Sequence, residues 1–145
     1  METTSTVSEL AAHLRLAVAR TNRRLRREAG SGLSATLTGA LATVERHGPL
    51  TPSELADREG VQRPTATKLI AKLEADGLVL RTADPDDRRS SLISASAAGR
   101  RLLRESRSRK DAYLARRLQA LPAADRATLA RAADLLERLL AEEPA

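Results

Sequence analysis

The chain has 145 residues and a formal net charge of +6, from 25 Lys and Arg against 19 Asp and Glu, with no Cys, no Phe and no Trp. Missing thiols exclude a disulfide framework, a thiolate zinc site and a thiol redox sensor, and with Tyr113 as the one aromatic residue the chain is not expected to read unstacked bases on an aromatic platform. The positive balance favours an anionic partner, with nucleic acid ahead of a membrane surface.

Val7, Leu10, Leu14, Val18 and Leu25 fall near helical spacing, which predicts an amphipathic helix over 7–28 with Arg15, Arg20, Arg23, Arg24, Arg26 and Arg27 on its other faces. Gly30, Ser31 and Gly32 end it. Ser34 caps a second helix, predicted to Arg46, with Leu37, Ala40, Leu41 and Val44 as its apolar set. Thr51-Pro52-Ser53-Glu54 is a capping box with proline at the first helical position, opening a short helix to Arg58 that Gly60 stops. The next helix, Arg63 to Ala75, buries Ala66, Leu69, Ile70 and Leu73 and tolerates Pro64 in its first turn. Leu78 to Arg81 reads as a strand, Asp84-Pro85-Asp86-Asp87 as a turn, and Ser91 to Ala95 as the returning strand. Ser96 caps a long helix to Ala120, Pro122 interrupts it, and a final helix runs from Ala123 to Ala141.

The fold class expected is mainly α with a small β-hairpin. Residues 34–95 form one unit, flanked by a helix within 1–33 and helices within 96–145. The apolar stripes of the flanking helices exceed what the small central unit can cover, so they are assigned to pairing with a second copy.

The two helices around Glu59-Gly60-Val61-Gln62 have the form of a helix-turn-helix. Its second helix would enter the DNA major groove with Arg63, Thr65, Thr67, Lys68 and Lys72 facing away from the apolar stripe. Arg can bond guanine O6 and N7, Thr can bond a base or pack its methyl on thymine, and Lys68 and Lys72 suit phosphates. A hairpin directly after such a unit makes a winged helix. Its tip carries Arg88 and Arg89 beside Asp84, Asp86 and Asp87. A wing arginine can enter a narrow minor groove, and a nearby Asp can hold its guanidinium.

Four segments resemble the MarR family of bacterial transcription regulators: Gly48-Pro49-Leu50-Thr51 leading to Glu54-Leu55-Ala56; Thr65 to Ile70 running on to Gly77-Leu78-Val79; Asp84-Pro85-Asp86-Asp87-Arg88-Arg89; and Ser96-Ala97-Ala98-Gly99. The resemblance implies a homodimeric winged helix-turn-helix protein whose terminal helices interlock and whose lobes each read half of a palindrome in double-stranded DNA. It implies that Arg89 reaches the minor groove and Asp87 orients it. Arg63, Thr65, Thr67 and Lys68 then take recognition-helix positions, and Thr51 and Ser53 lie where phosphates meet the preceding helix start. Pro64 departs from the small polar residue often found there, and Ala95-Ser96 replaces the usual Leu-Thr while keeping the cap.

The function expected is a sequence-specific regulator, a dimeric repressor of a palindromic operator relieved by a small-molecule effector, with effector-binding residues unassigned. The alternative is a non-specific or architectural DNA-binding protein. An enzyme is not expected: the chain has no Gly-rich phosphate loop, no Gly-x-Ser-x-Gly elbow and no His-Glu-x-x-His. No cofactor is expected, and two distant histidines argue against a metal site. His13 reads as a partly buried interface residue, His47 as a helix C-terminal cation, and Tyr113 as packing in the dimer region. The arginine run from Arg15 to Arg27 reads as a solvated face with interhelical ion pairs. No segment approaches the roughly 18 apolar residues of a membrane span. Residues 1–8 lack the basic start and apolar stretch of a signal peptide, so a cytoplasmic location is expected.

Overall fold

The computed structural model describes residues 2–141, in the order α1 (Glu2–Ala29), α2 (Ala35–His47), α3 (Pro52–Glu59), α4 (Arg63–Ala75), β1 (Val79–Asp84), β2 (Asp87–Ala95), α5 (Ala97–Gln119) and α6 (Ala123–Ala141). The predicted capping residues start three of the helices. Ser34 Oγ accepts the Leu37 N–H at 3.2 Å, Thr51 Oγ1 that of Glu54 at 3.2 Å, and Ser96 Oγ that of Gly99 at 3.0 Å. Each such cap contributes about 1 kcal/mol.

The core lies where α2, α3, α4, the base of the hairpin and the first turns of α5 converge. Leu41, Leu55, Ile70, Leu73, Ile93 and Val44 are its largest fully buried side chains. Each contributes roughly 1.5–3 kcal/mol by leaving water. Leu50 sits beside the sheet as a single bridge, exchanging hydrogen bonds with Ile93 at 2.9 and 2.7 Å. Ser96 joins two corners: besides capping α5, its hydroxyl donates to the Gly77 carbonyl at 2.7 Å. Gly99 has no side chain for a spatial reason, since a Cβ there would stand 2.2 Å from the Leu78 carbonyl oxygen.

The hairpin extends further than its apolar residues predict. Val79 pairs with Ala95, Leu80 with Ser94, Arg81 with Ile93, Thr82 with Leu92 and Ala83 with Ser91; the ladder then shifts so that Asp84 faces Asp87. Arg88, Arg89 and Ser90 therefore stand outside the regular pairing. Pro85 fixes a negative φ at the tip, and no described non-glycine residue has positive φ. The mirror-image turns that match strand twist are thus excluded, and the irregularity on β2 takes up the mismatch.

The terminal helices differ from this unit. α1 packs on α5, where Arg24 Nε donates to the Tyr113 hydroxyl at 3.0 Å and the guanidinium lies 5.6 Å from the ring centre. The Tyr113 hydroxyl, followed by Glu28, raises the Arg24 pKa above its ordinary value. Arg24 of the arginine run also pairs with Glu28 within α1, at 3.1 Å. His13 and His47 are exposed on the single chain. No residue of α6 is buried, and Leu135, Leu139 and Leu140 lie open.

Candidate nucleic-acid interface

The turn between α3 and α4 depends on Gly60, whose φ of 65° and ψ of 34° place it in the left-handed region. Its N–H closes on the Asp57 carbonyl at 3.3 Å, and the Val61 N–H on that of Ala56 at 3.0 Å. Leu55 and Ala56 of α3 and Ala66, Ile70 and Leu73 of α4 are buried. That spacing on α4 leaves Arg63, Thr65, Thr67, Lys68 and Lys72 exposed, all five as expected.

These five residues differ in what they can still bond. Arg63 and Lys68 take part in no ion pair or side-chain hydrogen bond among the described residues, so their full donor sets face solvent. Thr67 Oγ1 donates to the Arg63 carbonyl at 3.0 Å, which leaves its lone pairs and its methyl for a base. Lys72 Nζ lies 3.5 Å from Asp76, so part of its charge is answered within the helix end. Of the two hydroxyls at the start of α3, Ser53 is exposed. Thr51 is half-buried and also donates to Glu54 Oε1 at 3.1 Å, so its hydroxyl is engaged by the cap.

Asp84, Asp86 and Asp87 accompany the wing arginines, and two of these carboxylates organise the backbone. Asp84 Oδ1 accepts the Asp86 N–H and Asp87 Oδ1 accepts the Arg89 N–H, each at 2.9 Å. Asp87 thus holds Arg89 through its main chain, where a contact to the guanidinium was expected. Arg88 and Arg89 are both exposed, their side chains unpaired among the described residues.

Arg81 and Glu74 are partners that residue spacing does not reveal. Arg81 Nε lies 3.2 Å from Glu74 Oε2, and its Nη1 donates to Ser91 Oγ at 2.7 Å. The two charges lie in different elements, and only the packing of β1 on α4 brings them together. The Thr43 hydroxyl, bonded to Glu59 Oε1, fastens α2 to the end of α3 and was likewise not foreseen. No group of three or more His, Cys, Asp or Glu among the described residues could hold a metal ion. No helix among them is long and apolar enough to cross a membrane.

Residues 33–91, which span the helix-turn-helix and most of the wing, match the MarR family. An HTH-type transcriptional regulator of Mycobacterium bovis is 40% identical over 138 residues, covering 94% of this chain and 96% of that one. The chain belongs to the MarR family. This MarR protein is therefore an HTH-type, DNA-binding transcriptional regulator of a non-enzymatic family. Its fold is also that of a transcriptional regulator of Pseudomonas aeruginosa, at a TM-score of 0.85 and 37% identity over 95% of this chain and 98% of that one. A Staphylococcus aureus MepR variant, solved bound to an oligodeoxyribonucleotide, shares the fold at a TM-score of 0.69 and 18% identity, over 92% of this chain and 98% of that one.

Proposed function

We propose that the protein is a dimeric repressor that binds a palindromic operator and is released from it by a small-molecule effector. One observation carries the DNA part of this reading: α4 presents Arg63, Thr65, Thr67 and Lys68 on an exposed face, next to a wing whose two arginines stand outside the regular strand pairing. In this reading Arg63, Thr65 and Thr67 contact base edges in the major groove and Lys68 and Lys72 meet phosphate. Ser53 and Thr51 meet phosphate at the start of α3, and Arg88 and Arg89 reach the adjacent minor groove, with Asp87 fixing the backbone that carries them. The MepR structure supports the reading, since a protein of the same fold is seen there on DNA.

The terminal helices support the dimer. Leu10 and Leu14 of α1 face Ala132, Leu135, Leu136 and Leu139 of α6 across an apolar cavity of about 380 Å³. A second copy would close this opening by an isologous contact. The units are then 1–33 and 96–145 for dimerisation and 34–95 for DNA. A second cavity, of about 230 Å³, lies where α1, α2 and α5 meet, with Arg23, Arg26, Arg27 and Lys110 in its lining and the buried Ser106 in its wall. It joins the dimerisation helices to the DNA-binding unit and is our candidate effector site. Occupancy there would favour a lobe spacing that mismatches the roughly 34 Å repeat of the operator.

Selection of bound duplexes from random DNA tests the reading. Enrichment of an inverted repeat with half-sites about ten base pairs apart, bound about a thousandfold more tightly than random duplex, is the expected result. Equal binding to all duplexes would replace the repressor with a non-specific binder. Sedimentation at twice the 15.6 kDa chain mass is expected for the free protein.

A further inference from the structure

The inner face of the hairpin changes character one step above the core. Val79 and its partner Ala95 are buried, and so is Ile93; yet the residue opposite Ile93 is Arg81, on the same face of the ladder. An apolar residue would continue the pattern at that position. Arg81 instead bonds in two directions, to Glu74 in the last turns of α4 at 3.2 Å and to Ser91 on β2 at 2.7 Å. Ser91 pairs with Ala83 in the last regular rung before the ladder shifts and Arg88, Arg89 and Ser90 leave it. Among the described residues the Arg81–Glu74 contact is the one ion pair that joins the wing to α4.

We infer that Arg81 is a positioning residue for DNA binding: it ties the recognition helix to the rung from which the wing arginines project, and so sets the distance between the major-groove and minor-groove contacts. The inference rests on the DNA interface proposed above. Arg81 acts through Arg89 and does not itself meet DNA. Its guanidinium is already committed to a carboxylate and a hydroxyl, and both partners of the ion pair are about two-fifths exposed, at 40% and 43%. A pair that open adds little to folding stability. Its effect lies in fixing a geometry that two separate contacts must satisfy at once.

Glu74 makes the test decisive, because two explanations predict opposite signs. If Glu74 were only a negative charge near DNA, Glu74→Gln would tighten binding by removing repulsion. As the anchor of Arg81, the same change weakens it. The probe is a fluorescently labelled duplex of about 30 base pairs containing A/T tracts, titrated at fixed salt, with thermal unfolding run on every variant. Glu74→Gln and Arg81→Ala are each expected to weaken binding by about three- to fivefold, with the unfolding midpoint nearly unchanged. In the Arg89→Ala background Arg81→Ala should have no further effect, the non-additivity expected of residues that act as a unit. The exchanged pair, Arg81→Glu with Glu74→Arg, should recover most of the loss.

Tighter binding by Glu74→Gln, or an Arg81→Ala loss that simply adds to that of Arg89→Ala and lowers the salt slope by about one, would overturn the inference and make Arg81 a phosphate contact. Arg89→Ala alone separates the two levels. If it leaves affinity unchanged, the wing reading itself fails. If it weakens binding while Arg81→Ala and Glu74→Gln do not, only the positioning role fails.

Discussion

The winged unit and the helices that flank it solve burial in different ways. From Ala40 to Leu103 nearly every large apolar side chain facing inwards finds cover within the chain, and Leu41, Leu55, Ile70 and Leu73 are fully buried. In α6 no residue is buried, and Leu139 and Leu140 remain 62% and 72% exposed. The same aliphatic residues thus serve two purposes. In the centre they close a core, and at the ends they leave apolar surface open on the single chain. The difference also shows why the outer face of α4 can carry Arg63, Lys68 and Lys72: the helix is held by the buried Ala66, Ile70 and Leu73 beneath it, so its outer residues are free of any packing role.

Substitutions in the two regions should therefore be read on different instruments. Leu41→Ala or Leu73→Ala is expected to destabilise the fold by about 3 kcal/mol in urea unfolding, as for other fully buried leucines. Leu135→Asp with Leu139→Asp should leave far-ultraviolet circular dichroism in place and convert a dimer to monomers in sedimentation; a monomeric starting protein would remove the proposed pairing surface. Gly99→Ala sharpens the contrast within one helix. At an exposed helical site this change gains up to about 1 kcal/mol, but against the Leu78 carbonyl it should cost about 1–3 kcal/mol by overpacking.

On the DNA side, Arg63→Ala should lose about 1–3 kcal/mol of binding at particular base pairs and relax preference there. Lys68→Ala should weaken all sequences alike and reduce the salt slope by about one. The smallest effect is expected of Thr51→Ala: loss of the cap should lower stability by about 1 kcal/mol. A small fall in DNA affinity at temperatures where the variant is folded is expected from the lost phosphate contact; unchanged affinity would confine the hydroxyl to the cap.

The helices were legible in the sequence because their signals are local. Thr51 with Glu54, Gly60 after α3 and Ser96 before α5 each act within a turn of the residue that shows them, and the observed ends differ from those read by only a residue or two, except at the start of α1. The strands were less legible. Thr82, Ala83, Asp87, Arg88 and Ser90 carry no alternation of apolar residues, so only the pairing itself extends β1 and β2 towards the tip. The exposure of Arg63, Thr65, Thr67, Lys68 and Lys72 on α4 followed from helical spacing. The roles of Asp87 and Arg81 did not: a carboxylate two residues before an amide closes on the backbone, and an arginine on a strand finds its glutamate only once sheet and helix have docked. Spacing gives the face a residue occupies but not its long-range partner.

Tyr113, joined to Arg24 where α1 crosses α5, is the single aromatic side chain of the molecule. All intrinsic ultraviolet emission thus originates at one point of the scaffold, remote in sequence from the recognition helix and the wing. A change in that emission on adding DNA or a candidate effector would be a report from the α1–α5 junction, obtained without any label. A rearrangement confined to the wing would leave the signal flat. A tryptophan introduced into the wing could be followed beside it, giving the two regions separate optical channels.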